Sequence, residues 1–507
     1  MSDSSGQSMW TGSWLSQRAR KTPDATAVEV AGRVLSYAEL RKEADVWVAG
    51  LRECGVESGD GVAAFFDNGL EWVLLLWAVQ EIGATLVPLN LRFVPQELAH
   101  VLSDSGARFL LHGPGKNARL AEEAAAFCPG LVCCEVRDVH FAQIRTTPGQ
   151  AIAKNAQAGA SSDLLAILYT SGTSGSPKGA MLSAEAFWAS AMGSAALLGT
   201  TAEDRWLVCM PLFHVGGLSI LIRACIAGSC AIIQPRFDAD SVVQALEAQR
   251  ISGVSFVATM LERVMAARGS LPSPPSLRCV LLGGGPAPDE LLQRAQALGY
   301  PIAPTYGLTE AASQVATPIP GEYAGLPSDG LEALPGTELR ILDDEDRPLP
   351  PEEVGEICVR GRTLMRGYRG QPEETERTLR GGWLHTGDVG LLDQAGRLRV
   401  LERREDLIIS GGENIYPAEL EAVLGSHPQI AEAAVVGEAH PELGARPVAW
   451  CVAKGDECPS ARALEEFCRS RMAAYKVPDR FCFVDVLPRT ASGKLVRRKL
   501  RTGESIS

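Results

Sequence analysis

Short apolar runs that alternate with helical patterns are the sequence feature that most constrains the fold. The run LLAILYT (164–170) ends at a glycine-rich loop, CAIIQP (230–235) leads into the helical pattern DADSVVQALEAQR, and LRCVLLGGG (277–285) leads into PDELLQRAQAL. Pro288 is placed to begin the last of these helices. This alternation predicts a mainly parallel sheet that is covered by helices on both faces.

The length of the chain indicates more than one domain. A chain of 507 residues exceeds what one hydrophobic core supports, so we expect at least two domains. From Gly382 onward, short alternating strands suit hairpins, and helical patterns follow near 418–424 and 461–472. The sequence therefore predicts a large N-terminal α/β domain, residues 1–403, and a small α+β domain, residues 404–507.

Composition and charge exclude several classes of partner. The net charge of −13 argues against binding nucleic acid or anionic membranes through bulk electrostatics. The most apolar stretch, residues 72–89, contains Gln80 and Glu81, and it predicts a buried helix that runs into a strand, with no membrane insertion. The thirteen cysteines form no CxxC pair and the N-terminus lacks a signal-peptide pattern. We therefore expect reduced thiols in a cytoplasmic protein.

The glycine-rich segment YTSGTSGSPKGAML (169–182) predicts an anion-binding loop. Glycines let main-chain N–H groups converge on phosphate oxygens, while hydroxyl groups and Lys178 add donors and a positive charge. A Walker A loop would have glycine immediately before the lysine and Ser or Thr after it, whereas Pro177 and Gly179 flank Lys178 here. A flexible linker is disfavoured because the loop lies between an apolar strand and a predicted helix, AMLSAEAFWASAM, that begins at Ala180.

This loop and five further segments, in the same order, resemble the adenylate-forming superfamily. That superfamily includes acyl- and aryl-CoA synthetases, firefly luciferase and peptide-synthetase adenylation domains. The resemblance implies ATP, Mg²⁺ and coenzyme A as cofactors, doubly wound sheets with a β-barrel-like part, and a small C-terminal domain that is mobile. The five segments are PTYGLTEA (304–311), WLHTGDVG (383–390), RREDLIISGGENIYPAELE (403–421), YKVPDRF (475–481) and LPRTASGKLVRRKL (487–500).

The resemblance also implies a set of nucleotide-binding residues. Glu310 matches the magnesium-binding carboxylate, which suits the preference of Mg²⁺ for oxygen ligands, and Thr170 is a second candidate metal ligand. Asp388 matches the aspartate that binds both ribose hydroxyls, and Tyr306 offers a ring for adenine. The complete candidate set for the nucleotide is Thr170, Ser171, Gly172, Thr173, Ser174, Gly175, Lys178, Gly284, Gly285, Pro286, Thr305, Tyr306, Gly307, Asp388 and Arg403.

Catalysis is assigned by the same resemblance to residues of both domains. Lys494 matches a lysine that neutralises charge during adenylation, because the attack of one anion on another needs a positioned cation. Thr309 lies next to Glu310 and would approach the α-phosphate, and His214 would gate the thiol tunnel. The C-terminal domain is expected to turn after the first step, withdrawing Lys494. The residues assigned to the hinge and the coenzyme A side are Glu405, Ser410, Gly411, Gly412 and Glu413.

Three segments narrow the acid substrate. HVGGLSILIR (214–223), SFVATML (255–261) and TYGLTEAASQVAT (305–317) are similar to superfamily members that activate o-succinylbenzoate in menaquinone biosynthesis. Arg223 lies in an apolar run, where a buried cation without an anion is costly. It is predicted to bind the second substrate carboxylate directly or through water, the alternative being a pair with a protein acid. The candidate acid-binding residues are His214, Gly217, Ser219, Arg223, Gly283, Gly307, Ser313 and Gln314.

Several functions remain open at this point. The acid is a small carboxylic acid, and one of the benzoate or anthranilate type would suit nearly the same scaffold. The acceptor is coenzyme A or a carrier protein, and a luciferase-type monooxygenase or an inactive relative are further alternatives. Retention of Lys178, Glu310, Asp388 and Lys494 together disfavours an inactive relative. A homodimer is also possible.

Overall fold

The computed structural model describes residues 13–136, 163–170, 177–285, 287–323, 330–402, 407–455, 458–488, 495 and 497–502. The loose connection that the sequence predicts at 141–162 lies outside these residues, as do residues 171–176 of the predicted phosphate loop. The described α-helices are α1 Trp14–Lys21, α2 Tyr37–Glu53, α3 Leu70–Ile82, α4 Pro95–Ser105, α5 Lys116–Ala125, α6 Ala184–Leu198, α7 Val215–Ala227, α8 Ala239–Ala248, α9 Ala258–Arg268, α10 Asp289–Ala297, α11 Pro372–Thr378, α12 Pro417–Gly425, α13 Ala461–Arg469 and α14 Arg497–Thr502.

The described β-strands form five sheets. In chain order they are β1 Thr26–Val30, β2 Arg33–Ser36, β3 Gly61–Phe65, β4 Thr85–Pro88, β5 Ala107–His112, β6 Val132–Glu135, β7 Leu164–Thr170, β8 Lys178–Ser183, β9 Arg205–Val208, β10 Cys230–Ile233, β11 Gly253–Phe256, β12 Cys279–Leu282, β13 Ile302–Pro304, β14 Tyr306–Leu308, β15 Ser313–Thr317, β16 Glu332–Ala333, β17 Thr337–Leu342, β18 Gly355–Gly361, β19 Leu379–Arg380, β20 Trp383–Leu392, β21 Leu398–Glu402, β22 Ile408–Ser410, β23 Glu413–Ile415, β24 Ile430–His440, β25 Gly444–Ala453 and β26 Arg480–Phe483.

Two mainly parallel sheets form the large N-terminal part. The seven-stranded sheet has the order β13-β12-β11-β9-β10-β1-β2, in which only the β1–β2 pair is antiparallel. The six-stranded sheet has the order β6-β5-β3-β4-β7-β8, in which only the β7–β8 pair is antiparallel. Helices α3 and α7 contribute to the largest core, which includes residues of both sheets such as Leu86 and Val208. The predicted doubly wound α/β architecture is confirmed.

The segment after the glycine-rich loop differs from the prediction. The helix expected to begin at Ala180 begins at Ala184, and residues 178–183 form β8, which pairs with β7. Ala, Met and Leu have high helix propensity, so no local pattern indicates a strand here. Tertiary pairing decides the conformation here, because the other edge of β8 hydrogen-bonds to residues 366–369, with Met181 N donating to Gly367 O at 3.0 Å.

Two antiparallel sheets follow and correspond to the part of the N-terminal domain that was expected to be barrel-like. Strands β14-β15-β16 form one sheet; β17-β18-β20-β19 form the other, with β21 paired to β20. The β20–β21 hairpin was expected from the alternating pattern after Gly382, and it is present.

The C-terminal part is a separate α+β unit, as the sequence predicted. Its sheet has the order β23-β22-β25-β24, with β26 parallel to β25. Its core packs α12 and α13 on this sheet and includes Leu420, Leu424, Val435, Ala449 and Leu464. Helix α13 ends at Arg469, three residues before the predicted end.

The cysteines and the apolar helices agree with the composition of the chain. All thirteen cysteines lie among the described residues, and each is a free thiol. Among the helices of the described ranges, none combines the length and hydropathy that crossing a membrane requires.

Candidate active site

One cleft lies between the carboxyl ends of the parallel strands and the C-terminal part. Strands β11 and β12 end there at Phe256 and Leu282, and parallel sheets place ligands at this edge. The C-terminal part covers the cleft with the hairpin after β22 and the turn at 474–476. The residues that it contributes to the lining include Gly412, Glu413, Asn414, Tyr416, Tyr475 and Lys476.

The structure brings most of the described candidate residues together in this cleft. Those that line it are Thr170, His214, Ser219, Gly283, Gly284, Thr305, Gly307, Thr309, Glu310, Ser313, Gln314, Asp388, Gly412 and Glu413. The remaining described candidates lie behind the lining or beside it; these are Lys178, Gly217, Arg223, Gly285, Tyr306, Ser410 and Gly411. The candidates outside the described residues are Ser171, Gly172, Thr173, Ser174, Gly175, Pro286, Arg403, Glu405 and Lys494.

Glu310 is held in a fixed orientation at the cleft wall. It lies in a short 3₁₀ turn, Thr309–Ala311, directly after β14. The Tyr368 hydroxyl donates to Glu310 Oε1 at 2.7 Å, and Met365 N donates to the Glu310 carbonyl oxygen at 2.8 Å. With the hydroxyl of Thr170 also lining the cleft, this set offers the hard oxygen donors that Mg²⁺ prefers.

Lys178 is buried and pairs with a residue that the sequence analysis did not single out. Its side chain is 4% exposed, and its ammonium forms an ion pair with Glu374 at the start of α11. The ammonium also lies 5.4 Å from the centre of the Tyr368 ring. Glu374 lines the cleft, and it additionally pairs with Arg377. The charge of Lys178 is therefore balanced from within the large domain.

The segment that supplies Tyr368 and Glu374 is joined to β8. Arg366 N donates to Met181 O and Arg369 N donates to Gly179 O, both at 2.8 Å. The chain thus links the strand that begins with Lys178 to the residues that contact Lys178 and Glu310. The only sequence signal was the run RGYRGQPEET (366–375), whose proline starts α11.

Asp388 is positioned by Tyr306 and by the strand that carries it. The Tyr306 hydroxyl donates to Asp388 Oδ2 at 2.7 Å. Tyr306 is only 3% exposed and is not among the residues that line the cleft, and the contact of its ring with adenine stays a prediction. On the strand that carries Asp388, Glu356 Oε1 accepts from Gly387 N at 2.8 Å and Glu356 Oε2 lies 2.9 Å from His385 Nδ1. Asp388 therefore presents its carboxylate from a rigid strand.

The pocket formed by the candidate acid-binding residues has a polar wall. Ser219, on α7, donates to the Ser313 hydroxyl at 3.3 Å, and Gln314 donates through Nε2 to Thr305 Oγ1 at 3.4 Å. All four side chains line the cleft. Gly217 has a packing role beneath it, because a Cβ there would lie 2.2 Å from the Pro211 carbonyl oxygen.

Arg223 lies directly behind this wall. Its Nη1 donates to Ser194 Oγ at 3.2 Å and is 3.5 Å from Gln314 Oε1, while the guanidinium is 4.3 Å from the centre of the Trp206 ring. Burial lowers the pKa of Arg223 to about 10, so the group stays charged at neutral pH. Among the described residues, no carboxylate forms an ion pair with it, and Nη2 has no hydrogen-bond partner.

The opposite end of the cleft is closed by Glu413 from the C-terminal part. His214, the N-cap residue of α7, places Nε2 3.2 Å from Glu413 Oε2, and Arg92 Nη1 lies 3.2 Å from Glu413 Oε1. Burial alone would raise the pKa of Glu413, but the charges of His214, Arg92 and Lys476 outweigh it and lower the pKa. The carboxylate is thus buried in its charged form between two large-domain residues.

The hairpin that carries Glu413 approaches the large domain closely. Gly412 has a φ of +85°, and a Cβ there would lie 2.9 Å from Val257 Cγ2. Only glycine meets both requirements without displacing Val257. Ser410 and Gly411 lie just before it, and Gly411 N donates to Leu443 O at 2.8 Å within the C-terminal part. Ser410 and Gly411 therefore help to set the position of the hairpin, and neither of them lines the cleft.

Family comparison agrees with this geometry. The model of the AMP-binding enzyme family matches residues 15–369, and that of the AMP-binding enzyme C-terminal domain matches residues 419–494. The chain therefore belongs to the AMP-binding enzyme family. The similar curated proteins include 2-succinylbenzoate–CoA ligases from Geobacillus kaustophilus, 42% identical over 96% of this chain and 97% of that protein, and from Bacillus cereus, 39% identical over 96% and 98%.

The chain is also similar to solved structures over almost its whole length. A double mutant of o-succinylbenzoate CoA synthetase (MenE) from Bacillus subtilis bound to the product analogue OSB-NCoA has a TM-score of 0.87 at 35% identity, covering 97% of this chain and 98% of that chain. MenE in complex with the acyl-adenylate OSB-AMP has a TM-score of 0.70 at the same identity, covering 96% and 98%. The amide bond synthetase McbA from Marinactinospora thermotolerans has a TM-score of 0.83 at 29% identity, covering 97% and 99%.

Proposed function

We propose that this chain is an ATP-dependent acid–CoA ligase that activates o-succinylbenzoate through an acyl-adenylate. A carboxylate oxygen of the acid bonds to the α-phosphorus of ATP, and pyrophosphate leaves with the electrons of the broken P–O bond. The deprotonated sulfur of coenzyme A then bonds to the acyl carbon, and AMP leaves. The names of the relatives at 42% and 39% identity support this substrate.

The nucleotide half of the site is proposed to lie in the large domain. Glu310 and Thr170 supply the oxygen donors for Mg²⁺, which when bound neutralises phosphate charge. Lys178 and Asp388 are proposed for the phosphates and the ribose, and Thr309 for the α-phosphate. The contacts of Tyr368, Glu374 and Tyr306 support these roles because they fix the orientation of the functional groups, as catalytic preorganisation requires.

The observation that carries the proposed substrate is the buried guanidinium of Arg223. A buried cation needs a partner, and the groups in direct contact with Arg223, Ser194, Gln314 and Trp206, are neutral. The Asp204 carboxylate acts on its charge only at longer range and forms its ion pair with Arg278. o-Succinylbenzoate has two carboxylates, of which only one reacts. We assign the second to the polar wall of Ser219, Ser313 and Gln314, with Arg223 behind it acting directly or through a bridging water.

The C-terminal part, for which we propose the boundary 403/404, is assigned to both steps. Lys494 is proposed to act in adenylation, and the Ser410–Glu413 hairpin and His214 in thiol transfer, with Glu405 near the pivot. Two observations support the second assignment: Glu413 lies in the cleft, and the TM-score is higher with the product-analogue complex than with the acyl-adenylate complex.

We also propose a cellular location and an oligomeric state. Thirteen free thiols support a reducing compartment, which we take to be the cytoplasm. A homodimer stays a prediction that light scattering of the purified protein tests.

Pyrophosphate release with a panel of acids tests the function. The panel contains o-succinylbenzoate, benzoate, anthranilate and a fatty acid, each with MgATP and with coenzyme A, a phosphopantetheinylated carrier protein or a simple amine as acceptor. We expect the highest kcat/KM with o-succinylbenzoate and coenzyme A. Mass spectrometry of this reaction should detect the thioester and AMP as products. A higher kcat/KM with any other acid or acceptor would overturn the assignment.

Arg223→Ala tests the role of the buried guanidinium. We expect KM for o-succinylbenzoate to rise about tenfold or more, because a charge-assisted contact is lost, while KM for benzoate, which has no second carboxylate, stays the same. Arg268→Ala is a matched control: Arg268 is also buried, but it pairs with Glu247 away from the cleft. An unchanged KM for o-succinylbenzoate in Arg223→Ala would reject this role.

A further inference from the structure

A buried lysine at the boundary between the two parts of the chain has no role in the proposed function so far. Lys476 follows Tyr475 in a 3₁₀ turn of the C-terminal part, and its side chain is 1% exposed. Its ammonium lies 2.7 Å from Glu97 Oε1 and 2.6 Å from Glu419 Oε1. We call these three residues the Lys476 triad.

The triad crosses between the two parts of the chain. Glu419 is on α12 of the C-terminal part and would move together with Lys476. Glu97 is on α4 of the large domain, 379 residues from Lys476 in sequence. The ammonium also lies 5.0 Å from the centre of the ring of Phe93, another large-domain residue. Any rotation of the C-terminal part would separate Lys476 from Glu97 and Phe93 but not from Glu419.

The charges in the triad make this arrangement strongly favoured over a partly broken one. Burial alone would lower the pKa of Lys476, but Glu419, Tyr475 and Glu97 outweigh it and raise the pKa, so the lysine is buried charged. Both carboxylates are also buried. Two buried carboxylates share one ammonium, so separation of the two parts would leave Glu97 without a cationic partner, whereas Lys476 would keep Glu419. Burial raises the pKa of Glu97 and the charge of Lys476 counteracts this, so the charged form of Glu97 depends on this contact. A buried charge that loses its partner is far more costly than a broken surface pair.

The position of Glu97 is itself fixed, which makes it a defined docking point. Its other carboxylate oxygen, Oε2, accepts from Val94 N at 3.0 Å and so caps the start of α4. The two oxygens are thereby divided between the helix and the lysine. Lys476 and Phe93 also line the cleft next to Glu413, so the triad adjoins the thiol side of the site.

From these contacts we infer that Glu97 and Lys476 are positioning residues for thiol transfer: their cross-domain ion pair holds the C-terminal part where Glu413 reaches His214. Glu97 thus acts through the position of the hairpin and touches no reacting atom. The inference rests on the proposed two-step function. It assigns to Glu97 an effect on the second step alone, because the nucleotide site does not involve α4.

Glu97→Gln tests the inference, since glutamine keeps the size and the capping oxygen but removes the charge. Adenylation is measured without coenzyme A as pyrophosphate release, with hydroxylamine to trap the acyl group. Thiol transfer is measured by mixing enzyme-bound acyl-adenylate with coenzyme A. We expect adenylation within about twofold of the parent and thiol transfer about tenfold slower or more. Retained adenylation also shows that the variant is folded.

Two further variants separate docking from simple stability. Glu419→Gln also removes one carboxylate charge next to Lys476, but this carboxylate belongs to the C-terminal part itself. This variant should therefore slow thiol transfer less than Glu97→Gln does. Glu465→Gln, on the exposed face of α13, controls for the change of net charge and should leave both rates unchanged. Equal losses of both half-reactions in Glu97→Gln, or a larger effect on thiol transfer in Glu419→Gln, would overturn the inference.

A substrate-free measurement keeps this test independent of the proposed function. Hydrogen exchange of peptides that cover 94–105 and 474–477 should be faster in Glu97→Gln than in the parent, because the contact that excludes water is lost. Unchanged exchange in both peptides would contradict the cross-domain contact. Failure of the parent enzyme to form any acyl-adenylate would instead reject the proposed function.

Discussion

The two sides of the cleft that we assign to the nucleotide and to the thiol are built in different ways. On the nucleotide side, each functional group is held by a neighbour from the same domain: Lys178 by Glu374, Glu310 by Tyr368 and Asp388 by Tyr306. On the thiol side, the contacts cross between the two parts of the chain. They join Glu413 to His214 and Arg92, and Lys476 to Glu97.

This difference indicates how one cleft serves two reactions. Contacts within a domain survive a rotation of the C-terminal part, whereas contacts across the boundary exist only in one arrangement. We therefore expect the contacts on the nucleotide side to persist in both steps. The contacts on the thiol side should form only when the C-terminal part has the arrangement seen here. Substitutions on the two sides should separate the two half-reactions, and the following predictions test that separation.

The largest effect is expected for Glu310→Gln. Loss of the carboxylate removes the proposed main oxygen donor for Mg²⁺, so adenylation should fall by roughly two to three orders of magnitude. Rapid-quench measurement of acyl-adenylate at saturating Mg²⁺ gives the rate. Thiol transfer from a supplied acyl-adenylate should change much less. If both steps fell equally, the nucleotide side would not be separable from the thiol side.

Lys494→Ala should reduce the rate of adenylation by a similar factor, although Lys494 belongs to the C-terminal part. The family resemblance assigns its ammonium to charge neutralisation during adenylation, and a lost donor of this kind costs roughly two to three orders of magnitude. Thiol transfer should be unaffected, because the lysine is expected to be withdrawn in that step. Acyl-adenylate formed as fast as in the parent would remove Lys494 from the mechanism.

Glu413→Gln should give the opposite pattern. Without its charge, the hairpin loses the attraction of His214 and Arg92, and we expect thiol transfer to slow by about tenfold while adenylation stays within about twofold. Stopped-flow measurement of AMP release on adding coenzyme A gives the rate. Glu442→Gln, an exposed neighbour outside the cleft lining, is the control. A slower adenylation step in Glu413→Gln would mean that the hairpin also serves the first reaction.

Tyr368→Phe is expected to have the smallest effect. It removes one hydrogen bond to Glu310 but keeps the ring beside Lys178. The Mg²⁺ concentration for half-maximal adenylation should rise about threefold to tenfold, with kcat at saturating Mg²⁺ little changed. Titration of adenylation rate against Mg²⁺ measures this shift. An identical Mg²⁺ dependence would show that Tyr368 does not orient the carboxylate.

Sequence reasoning succeeded where local patterns dictate structure. Alternating apolar runs and helical periodicity predicted the parallel sheets, and the motif around Glu310 predicted a residue that does lie in the cleft. It failed at β8, whose residues have helix propensity and become a strand only through pairing with β7 and residues 366–369.

The partners of the site residues were beyond sequence reasoning for a different reason. The Lys476–Glu97 pair spans 379 residues, and the Lys178–Glu374 pair spans 196. No local pattern records such a pairing. Lys476 lies inside the apolar run MAAYKVP, but the sequence analysis did not single it out, and only the structure identifies the carboxylates that accept from it.

The central claim is that one cleft first makes an acyl-adenylate and then transfers its acyl group to a thiol. A single-turnover rapid-quench experiment with excess enzyme, radiolabelled ATP and o-succinylbenzoate, without coenzyme A, tests it most directly. The account predicts that acyl-adenylate accumulates to a stoichiometry close to that of the limiting ATP, and that added coenzyme A converts it to thioester and AMP. Thioester formed only when coenzyme A is present from the start, with no acyl-adenylate at any time, would contradict the account.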